Sequence, residues 1–137
     1  MRKHHLVQTV LVVAGIIGIG VGGAQLCIPV TFESSAGIDL GDNSSLLSEI
    51  RAAGGTLLVA GVLILSGAFL PKLTSVSVVL STLFYLSYGL SRLFSGLMDG
   101  IPSESLVIAT VVEMVVGVLS LLAWYQFRKE KQRQLAV

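Results

Sequence analysis

Cysteine occurs once, at Cys27, so the chain can form no internal disulfide, no Cys-x-x-Cys redox pair and no cysteine-based zinc cluster. Charge is scarce too. Asp, Glu, Lys and Arg make up 12% of the 137 residues, about half the roughly 25% expected of a soluble domain. No basic stretch is interleaved with aromatics, which leaves nucleic-acid binding without support. Gly54-Gly55 lacks both the spacing and the lysine of a phosphate loop. With no nucleophile–base pair, metal constellation or cofactor motif, no catalytic residue, cofactor or metal ligand is nominated, and the chain does not read as an enzyme. His4 and His5 read as part of a basic N-terminal flank.

What is abundant is apolar surface: 53% of residues are hydrophobic. They gather in four stretches, approximately 6–28, 52–70, 75–97 and 106–127, each near the roughly 20 residues that cross a hydrocarbon core as helix. Backbone groups cannot go unpaired in lipid, and the runs are too long and continuous for barrel strands, so all four are expected to be helices. The expected class is therefore all-α: a polytopic membrane protein, one four-transmembrane-helix bundle spanning 1–137. The first run also resembles a secretory signal ending at Ala24, but it exceeds the 7–15 residue core of such signals and is expected to be a retained helix. Residues 29–45 are expected to form an outer loop leading to a helix start near Ser44–Ser48, and the tail 128–137 a solvated helix end. Pro71 marks the stop of the second span, Asp99-Gly100 a hairpin turn, and Pro102-Ser103 the opening of the fourth helix.

Orientation follows from lysine and arginine placement. Arg2, Lys3, Lys72, Arg128, Lys129, Lys131 and Arg133 fall on one side, while Glu33, Asp39, Asp42, Glu49, Asp99 and Glu104 fall on the other. Both termini are thus expected in the cytoplasm of a multi-pass protein of the cell inner membrane, with Trp124, Tyr125 and Phe127 at the inner interface.

Small residues at four-residue spacing let helices approach closely. Ala14, Gly18 and Gly22 repeat this on the first span, Ala52, Thr56 and Ala60 on the second, and Ser87, Ser91 and Ser95 on the third, with Gly55 added to the packing set. Two readings fit: packing within the chain, or a homodimer face built on Gly18 and Gly22.

Three charges fall at or inside the spans: Arg51, Arg92 and Glu113. Each costs about 2.5–3.5 kcal/mol at mid-membrane, against about 0.3–0.6 returned by a leucine or valine. Arg92 and Glu113 lie at similar depth on consecutive helices, so they are expected to pair inside the bundle near the outer surface. Arg92 shares a helical face with Tyr85, Tyr88 and Ser95, and Glu113 shares one with Thr110, Gly117 and Ser120. Such a pair can lock two helices together, or it can form a polar pocket for a ligand headgroup or a proton.

"SEIRAAGG", "GLSRLFSGLMDGIPS" and "VVEMVVG", in that order and spacing, resemble the small bacterial membrane family catalogued as domain of unknown function 4345. The resemblance covers about residues 6–127 and implies four membrane helices with no assigned reaction. By motif, Arg51, Gly55, Arg92, Ser95, Asp99, Gly100, Pro102 and Glu113 match its polar positions. The match leaves Asp99 two roles, capping the turn or joining Arg92 and Arg51 at the mouth of a pocket, where a spare arginine would favour a lipid or small anionic ligand. Three functions stand: a non-enzymatic protein binding a lipid or partner, a small transporter or proton-coupled carrier acting as a homo-oligomer, and a membrane enzyme on a lipophilic substrate.

Overall fold

The structure, a computed structural model, describes residues 2–135, except for the side chains of 2–4, 130, 131 and 133–135. The charges of Arg2, Lys3, Lys131 and Arg133, which carry part of the expected orientation, and His4 lie outside the described side chains, as do residues 136 and 137 of the tail. Five helices follow in order: α1 Arg2–Cys27, α2 Pro29–Ser35, α3 Ser44–Phe69, α4 Pro71–Asp99 and α5 Glu104–Leu135. Among the described residues there is no strand. Four stretches are long and apolar enough to cross a membrane: His5–Cys27, Ser44–Phe69, Pro71–Asp99 and Glu104–Lys129.

Each boundary has a local cause. Asn43 caps α3, its Oδ1 accepting from the N–H groups of Ser45 and Leu46 at 3.1 Å, within the expected Ser44–Ser48 start. Pro71 sits just past the end of α3, as expected, with Leu70 before it extended. It opens α4, where its fixed φ and missing N–H suit a first turn, and Leu70 alone connects the two helices. The turn after α4 depends on Gly100, whose φ of 99° disfavours any side chain. The segment 29–45, expected as a loop, begins instead with α2, again with proline in the first turn. The tail from Arg128 onward continues α5 as helix through Leu135.

The helices run alternately up and down, so one end of the molecule gathers Lys72, Arg128 and Lys129 and the other Glu33, Glu49, Asp99 and Glu104. We call these the basic and the acidic end. α1 packs mainly on α3, α4 on α5, and the two pairs meet through α3 with α4 and α1 with α5. Between them Leu11, Ala14, Ile64, Val78, Tyr85, Val116 and Ala123 form the buried core. Ile16, Val59, Leu83 and Val111 are each more than half exposed, as side chains in contact with lipid would be.

The α1–α3 seam is built on glycine. A Cβ placed on Gly61 would come within 2.6 Å of the Ile19 backbone nitrogen, and one on Gly22 within 2.7 Å of the Gly54 carbonyl oxygen. Gly18 and Gly22 therefore do face a helix, and that helix is α3 of the same chain, which fills the Gly18–Gly22 face; Ala14 is buried too, its carbonyl accepting from Tyr85 of α4. Two other expected packing sets are corrected. Gly55 has nothing within 4 Å of its Cβ position; its neighbour Gly54 makes the close approach, 2.8 Å from the Leu26 nitrogen. Ala60 is buried as expected, but Ala52, Thr56, Ser87, Ser91 and Ser95 are exposed, and α4 turns Ser77, Ser81, Tyr85 and Gly89 inward instead.

Candidate ligand site at the acidic end

Arg92 and Glu113 meet. The Arg92 Nε–H donates to both carboxylate oxygens of Glu113, at 3.1 and 3.0 Å. The two helices bring them together because Gly89 and Gly117 narrow the α4–α5 seam on either side, Gly89 against Met114 and Gly117 against Leu86. Arg92 lies about 10 Å along α4 from Asp99, and Glu113 about 14 Å along α5 from Glu104, so the pair sits roughly a third of the way into the molecule. Among the described residues this is the one ion pair, and the terminal nitrogens of Arg92 have no protein acceptor.

Deeper than the pair, the Tyr85 hydroxyl donates to the Ala14 carbonyl at 2.5 Å, tying α4 to α1. Tyr88 stacks on Phe84 at 5.1 Å between ring centres. One helix turn further in, Ser81 and Ser120 share a buried hydrogen bond of 2.8 Å. Beside Arg92 lies a cleft of about 50 Å³ lined by Ile17, Gly18, Val21, Gln25, Leu57, Phe84, Tyr85, Tyr88, Arg92 and Glu113. On the other side of Arg92 a larger groove of about 430 Å³ runs between α4 and α5 to the hairpin, lined by Leu93, Gly96, Leu97, Ile101, Pro102, Val107, Thr110 and Val111. Arg92 is the residue common to both linings.

The rest of the expected charge cluster does not assemble. Arg51 donates instead to the Leu26 carbonyl, one of the last four of α1, which lack partners within their own helix. Asp99 accepts from Ser95 one turn earlier on its own helix, at 3.0 Å. Ser95 thus belongs to the exposed hairpin and does not line the cleft. Sequence reasoning missed Gln25 and Glu33. Glu33 is buried in α2 and accepts from Gln25 Nε2 at 3.0 Å, so the short helix folds back over the end of α1. A polar residue ending an otherwise apolar run, as Gln25 does, was the available signal. Ser103 donates to the Ala36 carbonyl at 2.6 Å, fastening the same segment to the start of α5.

A family model described as "Domain of unknown function (DUF4345)" matches residues 6–124. No curated protein and no solved structure matches the chain.

Proposed function

The chain belongs to the family of domain of unknown function 4345, and we propose that it is a non-enzymatic membrane protein that holds a lipophilic ligand at its acidic end, with Arg92 as the anchoring group. One observation carries this reading: Arg92 is held by Glu113 through Nε alone, which leaves its terminal amino groups uncommitted in the wall between a small cleft of mixed lining and an apolar groove. A purely structural ion pair gains from engaging the guanidinium fork with two parallel bonds. Here the fork is left for something else. The position of the pair, a third of the way in and not at the midplane, favours holding a ligand over carrying one across. The lysine and arginine bias supports a basic end in the cytoplasm of a bacterial inner membrane, which would place the groove in the outer leaflet.

Native mass spectrometry of the protein in mild detergent tests the proposal. The unmutated chain should fly with a discrete lipophilic adduct, and Arg92→Gln should fly without it while keeping its helix content. An adduct-free unmutated chain, or an adduct unchanged by the substitution, would overturn the reading.

A further inference from the structure

We infer that the α4–α5 groove takes an uncharged lipophilic carbonyl compound: a single apolar body that ends in a ketone, quinone or ester oxygen. This rests on the reading that Arg92 anchors the ligand, and it names the ligand's chemistry. Charge balance decides the class. The formal charges of Arg92 and Glu113 cancel at 3.0 Å, and the remaining groove walls carry none. An anion added here would face Glu113 in a medium of low dielectric and leave the site with an unbalanced negative charge. The nearest charges toward the surface, Asp99 and Glu104, are acidic as well. A neutral acceptor meets no such penalty.

The hydrogen-bonding inventory narrows the class further. A guanidinium has five N–H donors and no acceptor, and Nε is spent on Glu113, which leaves four. The Thr110 hydroxyl spends its one proton on the Leu106 carbonyl at 2.8 Å, so it adds no donor and keeps only acceptor lone pairs. The free donors at the inner end of the groove are therefore those of Arg92, four against the single Thr110 oxygen, and they match the lone pairs of a carbonyl oxygen. A plain hydrocarbon would leave them unmet. Size assigns the two cavities different occupants. The groove, at about 430 Å³, lies in the roughly 300–1,000 Å³ range of ligand sites, whereas the cleft, at about 50 Å³, suits water. The groove opens sideways past Leu93 and Leu97, so its ligand arrives from the bilayer.

Three probes with one chain length separate the possibilities: 2-dodecanone, dodecanoate and dodecane, each titrated into the full chain in lipid nanodiscs. Binding is read from the amide resonance of Gly96 and the Nε–H resonance of Arg92. The ketone should shift both saturably and bind at least tenfold more tightly than either other probe. Arg92→Gln should abolish the ketone's advantage over dodecane. Gly96→Leu should abolish saturable binding while leaving the thermal midpoint unchanged, because nothing lies within 4 Å of the Gly96 Cβ position. Tighter binding of dodecanoate would overturn the inference yet leave Arg92 as an anchor. Equal binding of all three, or saturation by none, would overturn both the inference and the function it rests on.

Discussion

The two helix pairs of this protein are joined by different means. α1 and α3 meet backbone to backbone, with Gly22 against Gly54 and Leu58 and Gly18 against Gly61, so that no side chain fits between them. α4 and α5 meet through side chains, by the Ser81–Ser120 hydrogen bond, the Arg92–Glu113 pair and the docking of Met114 and Leu86 onto glycines. In lipid there is little hydrophobic gain in pressing helices together, so close van der Waals contact and interhelical hydrogen bonds must do the joining. The first seam uses contact and leaves no space. The second uses polar groups, which need room, and the groove lies along it. One pair acts as frame and the other as a seat for ligand.

The contrast can be broken most severely at the frame. Gly61→Val should separate α1 from α3 and cost about 3 kcal/mol or more, since the added carbons meet backbone that cannot yield. Loss of a monodisperse peak in size-exclusion chromatography would report it; a normal peak and midpoint would show that the seam is looser than its geometry.

In the second pair, Glu113→Leu strands an arginine and should lower stability by about 2 kcal/mol, less than the roughly 3–5 of a fully buried pair because both side chains are partly exposed. The double variant Arg92→Leu, Glu113→Leu should recover most of that loss in the same thermal unfolding assay. If it does not, the pair contributes more than mutual neutralisation.

The link between the pairs is smaller. Tyr85→Phe removes one hydrogen bond to Ala14 and should cost about 1 kcal/mol, while Ser81→Ala should cost about 0.6, the average for hydrogen bonds between membrane helices. At the low end, Gly55→Ala should leave the midpoint unchanged or raise it slightly, because its Cβ meets nothing and alanine is the better helix former. A Gly55→Ala loss as large as that of Gly54→Ala would show that the helix is turned differently about its axis.

The spans, the two differently charged ends and the meeting of Arg92 with Glu113 were legible in the sequence, because each is a matter of position along the chain. Depth follows from counting residues at a fixed rise. Rotation about each helix was far less legible. On α1 the four-residue spacing did pick out Gly18 and Gly22 from Gly20 and Gly23, which meet nothing, but it missed Gly15, whose Cβ position lies 2.6 Å from the Leu65 Cβ. The serine stripe on α4 misled for a related reason. Four-residue spacing alone did not tell which serines face in: Ser77 and Ser81 bond neighbouring helices, while Ser87, Ser91 and Ser95 are exposed. Arg51 and Asp99 escaped prediction through local competition. Each found a partner at a helix end, a carbonyl of α1 for one and a neighbouring hydroxyl for the other, nearer than the cluster expected of them.

The single-residue connection at Leu70 has a consequence for how the chain is made. α4 carries polar side chains that would insert poorly alone, yet Ser77 donates to the Leu63 carbonyl at 2.7 Å and Thr74 to the Gly67 carbonyl at 2.8 Å, both on α3. With no slack between them, the two helices must enter the membrane together as a hairpin, each arriving with the other's partners in place. Arg92 is different: its counter-charge lies 21 residues further on, on α5, and not on the hairpin partner α3. The arginine therefore waits at the acidic side for α5, and the ion pair closes only when that last helix joins the bundle.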